Sequence, residues 1–561
     1  MKTLRIGFLL DSKHCPQSQC SIIDRIEHSP ELDISLLVFN NNKHSKDTHF
    51  ESKAANNSLL LKILRPFRIA FSMINPKAYG LPTLYHRFDQ KNNPAINTLW
   101  DKKTVLENYQ GRSLNITPIN KGFSTYIKET DLRLIENENI DILIRFGFGI
   151  IRGDIHQSAK YGVWSFHHGD NRFYRGGPPG IWELIKGKRH ISVTLQRLND
   201  KLDCGNTIGR FTHRSDLFSA LKNKSIIYQS CADLLLQKLI QTQSMGFESI
   251  SKSAIYQEKI PESTILKSPN NLETLFLFYR IIKHYLELRW PRKKKLQWFL
   301  AIKNQDHQLA QLKSTQLIIP PKDRFFADPF IIEKNQKHYI FFEELVYSKG
   351  NAHISVAELD DGSLKNIKPI IQEDFHLSYP FIFEDNDEWY LIPESRENKD
   401  VRLYKCSKFP FEWEFQQILI PNVELLDATI YKQDETYFLF ANQYEPNRDT
   451  SNECLVVYYS ESLFGPWTAH PLNPLTTNIC NSRPAGNLFH HQNKLILPTQ
   501  NCAVRYGHGI NFNEITISKN NFSMKKINQL NPDWLTNNLG SHTWNGNKKY
   551  VVTDAHRYIQ R

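Results

Sequence analysis

Short apolar runs separated by amphipathic stretches dominate the first 245 residues. Residues 5–10, 34–39 and 142–144 are continuous apolar runs of strand length, and 162–164 reads as the entry to a fourth strand. Between them, 21–28 and 155–160 read as short helices. A long helix is predicted over 216–245, with Leu217, Leu221, Ile226, Ile227, Cys231, Leu234, Leu235 and Leu239 mostly at helical spacing. Strands alternating with helices predict a doubly wound, Rossmann-like α/β sheet. No G-x-G-x-x-G follows the first strand, so a dinucleotide is not the expected ligand. Residues 41–115 break the pattern and read as an insertion carrying a helix over 59–74.

A linker with Pro261 and Pro269 follows, then an aromatic-rich helix over 272–290 and a basic knot of Arg289, Arg292, Lys293, Lys294 and Lys295. This divides the chain into a domain at 1–245, a linker and helix at 246–300, and a second domain at 301–561. A basic aromatic helix suits contact with an anionic membrane surface, and an interdomain helix with a solvated charge run is the plainer expectation.

From residue 325 onward one pattern recurs: an apolar strand, a polar turn, and an aromatic-rich strand. Its turn centres, Asn335, Asn386, Asp434, Asn493 and Asn547, lie 51, 48, 59 and 54 residues apart. Strand-turn-strand units at that period predict a five-bladed all-β propeller. The copies open on Asp328, Tyr379, Asp427, Arg483 with Pro484, and His542. These inner-strand starts are expected to converge on a central channel and supply a ring of chemistry.

Composition narrows the classes without choosing among them. The 561 residues call for two or three domains, and 40% apolar residues exclude wholesale disorder. A net charge of +12 favours acidic ligands, yet no basic patch interleaved with aromatics marks a nucleic-acid module. Eight scattered cysteines make neither a disulfide framework nor a zinc set, and no metal is expected. No run reaches membrane-span length, and the first twelve residues read as a buried strand rather than a signal peptide. The expected location is the cytoplasm.

The densest chemistry lies between Trp164 and Ile208. Ser165-Phe166-His167 is followed by Tyr174-Arg175-Gly176, Pro179, Trp182, Gly187, Val193-Thr194 and Leu202-Asp203-x-Gly205. In fixed register these resemble the core of the 10-formyltetrahydrofolate-dependent formyltransferases, including the sugar N-formyltransferases and the methionyl-tRNA enzymes. The resemblance implies a Rossmann-like fold, 10-formyltetrahydrofolate as co-substrate, His167 as the base beside the formyl group and Asp203 as its orienter. It places Phe148, Gly149 and Ile150 along the folate, and Arg175 and Gly176 in the loop beside the substrate. The family's third member, an asparagine donating to the formyl oxygen, is replaced by Ser165, whose hydroxyl sits closer to the backbone. Losing such a donor costs about two to three orders of magnitude in rate. His168 and Asn171 flank the loop and are candidates to compensate.

The propeller half resembles the propeller domain attached to plant glucosamine inositolphosphorylceramide transferases and, more distantly, five-bladed glycoside hydrolases. There Asp328 would be base or nucleophile, with Glu394 and Asp427 completing a carboxylate set. The combined expectation is formyl transfer to an amino sugar, nucleotide- or lipid-linked, with a glycan-recognising propeller. The rivals are glycosidase or glycosyl-transfer chemistry in the propeller, and a glycan-binding protein without catalysis.

Overall fold

The computed structural model describes residues 3–42, 75, 78–105, 109–261, 264–289, 294–306, 308–312, 314–444 and 452–560. The helix expected over 59–74 lies outside them, as do Arg292 and Lys293 of the basic knot. Two compact units result, residues 1–211 with 215–286, and 212–214 with 287–561.

The first unit carries β1 (Leu4–Leu10), β2 (Leu32–Asn40), β3 (Arg112–Ile116), β4 (Ile142–Arg145), β5 (Val163–His167), β6 (His190–Arg197) and β7 (Asn206–Arg214). Their order in the sheet is β7-β6-β5-β4-β1-β2-β3. Strands β1 to β5 run parallel and β6 antiparallel to β5. Successive strands step outward from β1 to β3, and the chain then returns to the other side of β1 as β4. The carboxyl ends of β1 and β4 therefore flank a crevice, the usual ligand position in such sheets.

Among the described residues the longer helices of this unit are α1 (Gln17–Glu27), α2 (Gly80–Asn92), α3 (Glu129–Glu136), α4 (Ala220–Met245) and α5 (Asn271–Arg289). The segment expected as a helix over 155–160 is instead a 3₁₀ turn, Asp154–Gln157, because Gly153 and Gly162 at positive φ bound it closely. Part of the 41–115 insertion has a structural job. Asp89 of α2 accepts from Leu221 N (2.9 Å) and Ser219 Oγ (2.6 Å), so an insertion carboxylate covers the amino end of α4. On α5, Leu277 is fully buried, yet Leu275, Phe276, Tyr279, Ile282 and Leu286 are each more than half exposed.

The second unit is mostly β and propeller-like. Five antiparallel sheets of four or five strands follow one another along the chain. One joins the unit's two ends: Lys294–Asn304 pairs with Tyr550–Gln560 over eleven residues. Lys294 and Lys295 thus begin a strand rather than end a linker, and the β unit starts before 301. The continuous apolar run Trp298–Ile302, buried throughout, explains this.

The hairpin turns sit where the sequence pattern put them. Asn335-Gln336, Asn386-Asp387 and Gln492-Asn493 all have positive φ at both central residues, the backbone that matches strand twist. A second regularity lies at the strand starts. Asp328, Tyr379 and Asp427 take φ of 51°, 46° and 55°, each at a register slip in its sheet. These bulges turn each residue out of its own ladder.

Candidate functional site

Two clusters bring together most of the sequence-predicted residues, one in each unit.

In the first unit, β5 delivers Ser165 and His167 from the same strand face. The Leu202-Asp203-Cys204-Gly205 corner brings Asp203 to them, with Asp203 at φ 52°. Gly205 is required there, because a Cβ would lie 2.2 Å from the Arg197 carbonyl oxygen. His167 Nδ1 lies 3.3 Å from Asp203 Oδ1. The other carboxylate oxygen accepts from Gly176 N at 3.2 Å, and Arg175 donates to the Leu202 carbonyl at 2.7 Å. Burial opposes ionisation of Asp203, but the His167 hydrogen bond and charge and the Gly176 N–H outweigh it and hold its pKa below the ordinary value.

His167 Nε2 meets the Tyr174 carbonyl at 2.5 Å. Both ring partners are acceptors, so the ring satisfies both only with hydrogens on both nitrogens. A base at this position has to exchange the Tyr174 carbonyl for its substrate.

The neighbouring cavity opens at the carboxyl ends of β4 and β5 against the start of α1 and the side of α4. Ser165, Phe166, His168, Arg145, Phe146 and Tyr228 are among its walls. His168 stacks face to face on Tyr228, ring centres 4.1 Å apart, and burial with the nearby His167 and Lys224 pushes its pKa down to about 3. It is a neutral imidazole at physiological pH. Asn171, the other candidate to flank the pocket, is not among the cavity walls. It is fully buried, with its carbonyl accepting from Arg210 at 3.1 Å, since the Asp170 turn draws it inward.

The Phe146-Gly147-Phe148-Gly149 turn has a steric cause. A Cβ on Gly147 would lie 2.5 Å from Asp11 N, and Phe148 N donates to Asp11 Oδ1 at 2.7 Å. Phe148 is buried at φ 65° within the apolar core below the sheet end, away from the cavity walls. Gly149 turns its carbonyl to Arg145, and Ile150 enters a short strand beside Ser124. None of these three lines the cavity.

Sequence reasoning missed Arg145. Its Nε donates to Ser165 Oγ at 3.0 Å and its Nη1 to the Gly149 carbonyl. Burial lowers its pKa, while Asp203 and Asp11 pull the other way. The available signal was a charged residue closing the otherwise apolar run 142–144.

In the second unit, Asp328, Glu394, Asp427, Arg483 and His542 occupy one buried electrostatic network. Arg483 donates to Asp427 (2.6 and 3.1 Å), to Glu394 (3.3 Å) and to Asn452 (3.1 Å), and lies over the Tyr506 ring. His542 Nδ1 sits 2.5 Å from Asp554 and 3.5 Å from Asp328, under the stacked Trp298 ring. Asp328 also accepts from Thr543 Oγ1 (2.5 Å) and Tyr379 N (3.2 Å). Burial raises Asp328 to about 7 and Glu394 to about 8. Burial opposes the charge on His542, but Asp554 and Asp328 prevail and lift it to about 9.

Asp328, His542 and Asp554 have the ligand types and spacing for a divalent cation. The hydrogen bonds just described already occupy these ligand atoms. Asp328, Tyr379 and Asp427 each bond to a neighbouring sheet, so the bulges latch sheets together as well as lining the centre.

Residues 314–559 match the family described as glucosamine inositolphosphorylceramide transferase 1, N-terminal. The glucosamine inositolphosphorylceramide transferase 1 of Oryza sativa subsp. japonica is 32% identical over 236 residues, covering 41% of this chain and 31% of the rice protein. The Arabidopsis thaliana protein is 28% identical over 232 residues, 40% of this chain and 30% of its own length. The chain therefore spans about a third of the length of these relatives. The N-terminal part is similar to the methionyl-tRNA formyltransferase of Rickettsia felis, 28% identical over 120 residues, 21% of this chain and 39% of that protein. Among solved structures, a family 117 glycoside hydrolase from Zobellia galactanivorans aligns at TM-score 0.31 with 13% identity, over 46% of this chain and 90% of that one. A formyltetrahydrofolate deformylase from Pseudomonas syringae pv. tomato aligns at 0.25 with 12% identity, over 43% and 62%. The chain is thus similar to formyltransferases in its first part and to the amino-terminal region of glucosamine inositolphosphorylceramide transferases in its second.

Proposed function

We propose that the first unit transfers a formyl group from 10-formyltetrahydrofolate to the amine of an amino sugar, nucleotide- or lipid-linked, and that the second is a five-bladed propeller that recognises the glycan. The observation that carries this reading is the His167–Asp203 pair, 3.3 Å apart; neither residue lines the cavity, but Ser165, Phe166 and His168, next to His167 in the chain, do. The amine attacks the formyl carbon, and His167, once it has left the Tyr174 carbonyl and released its Nε2 proton to solvent, takes the amine proton on that nitrogen. Asp203 stabilises the charged ring. The similarity to a methionyl-tRNA formyltransferase supports the donor, and that to glucosamine inositolphosphorylceramide transferases supports the sugar. The cytoplasm, where reduced folates are available, is the proposed location.

A second reading, glycosidase chemistry in the propeller, draws support from Glu394. Burial pushes its pKa above the usual carboxylate range, against the pull of Arg483, which is the direction a general acid requires. Mass spectrometry of amino sugars incubated with 10-formyltetrahydrofolate, and of glycosides alone, separates the two. Formyl transfer predicts loss of N-formyl product with His167→Ala and retention with Asp328→Asn. The reverse pattern, with sugar release, replaces it by the glycosidase, and no turnover in the unmodified chain replaces both by glycan binding.

For α5 the proposed partner is an anionic membrane surface. The exposed stripe Leu275, Phe276, Tyr279, Ile282 and Leu286 runs along one face, and Arg280 and Lys283 belong to the same helix.

A further inference from the structure

Ser165 stands where the resemblance expects the oxyanion donor, but its hydroxyl is already committed. It accepts from Arg145 Nε at 3.0 Å and donates to the Arg145 carbonyl at 3.5 Å. The group it holds is a better donor than itself. Arg145 closes β4 at the cavity wall, carries five N–H bonds, and spends its Nε and Nη1 on Ser165 and Gly149. Among the described residues no ion pair joins it to a carboxylate. A half-buried guanidinium facing a cavity, on which Asp203 and Asp11 act only without direct pairing, favours an anion that enters.

The same cavity shows a second polar group in want of a partner. Ser18, in the first turn of the eleven-residue α1, is 6% exposed, lines the cavity, and has a buried Oγ with no hydrogen bond. The amino end of a helix adds partial positive charge on that side. His168, on another wall, adds none in its neutral form.

We propose that Arg145 is the oxyanion-binding group of this cavity, with Ser165 as its positioning residue and Ser18 as a second donor. The assignment deepens, and for catalysis rests on, the formyl-transfer reading. The bond from the sugar nitrogen to the formyl carbon forms, and the charge that develops on the formyl oxygen falls to Arg145. The bond from that carbon to the folate nitrogen then breaks. The proton lost by the amine passes to His167 and ends on the departing nitrogen.

Formate, which has the carboxylate oxygens and one-carbon size of the reacting unit, tests the assignment without requiring turnover. Titration of the full chain, followed by calorimetry or ¹³C NMR, should show saturable binding. Arg145→Gln should weaken it by about tenfold or more, the loss of a charge-assisted contact. Arg145→Lys, which keeps the charge and loses the fork, should bind several-fold more weakly than the unmodified chain, and it serves if Arg145→Gln fails to fold. With the donor and an amino sugar present, Arg145→Gln should lower transfer by about two to three orders of magnitude. Formate binding that depends on Arg145, without formyl transfer, would retire the proposed reaction and keep the anion site. No formate binding in the unmodified chain, or equal binding in the Arg145 variants, overturns the assignment.

Discussion

Asp203 is held by three separate constraints: a left-handed backbone, a hydrogen bond from Gly176 N, and the His167 ring. Gly205 makes that corner possible, since any side chain there meets the Arg197 carbonyl. Gly205→Ala is expected to lower stability by about 1–3 kcal/mol, read as a lower denaturation midpoint, because backbone must move to admit the methyl group. Formyl transfer should fall with it, as Asp203 loses its alignment. At this scale the sequence was informative about identity and poor about partners. The spacing from Ser165 to Gly205 placed the histidine and aspartate together, because a short antiparallel return of strands leaves little freedom in between. The Tyr174 carbonyl on His167, the inward turn of Asn171 and the role of Arg145 depend on side-chain directions that no spacing encodes.

Helix α2 shows how an element without recognisable chemistry acts through a neighbour. Asp89 satisfies the first amides of α4, and α4 supplies Tyr228 and Cys231 to the cavity wall. Asp89→Ala should therefore cost about 0.5–2 kcal/mol, the range for losing a helix cap, measured by chemical denaturation of the full chain. Helix α5 was legible as aromatic and basic, but which side of it the protein would cover was not. Tyr85, Leu184 and Leu277 pack together, and the opposite face carries the exposed stripe. Replacing Phe276 and Ile282 by serine should reduce co-sedimentation with vesicles containing anionic lipid. Unchanged sedimentation, or loss of a dimer in its place, would contradict membrane contact.

Over the whole molecule, the two halves differ in how openly the sequence displays them. The propeller-like unit repeats its turns, so Asn335, Asn386 and Asn493 betray the period before any contact is known. Its closing sheet was not foreseen: the strand Lys294–Asn304 carries no turn of its own and pairs with the far end of the chain. The unit's buried charges also tie its stability to pH. His542 is held protonated up to about 9, above the ordinary value of 6.5, so its pairing with Asp554, whose own pKa is held down, is fully present just below pH 6.5. That contribution fades as pH rises through about 9. The stability gap between the unmodified chain and His542→Gln should shrink over that window in denaturation experiments, and a gap that widened would contradict the assigned charge.

The cavity near His167 and Asp203 is proposed to receive a one-carbon donor. The most direct test is titration of the full chain with a stable, non-transferring analogue of 10-formyltetrahydrofolate. Saturable binding is expected at physiological folate concentrations, weakened by Arg145→Gln and unaffected by Asp328→Asn. Absence of saturable binding, or binding abolished by the propeller substitution alone, would contradict it.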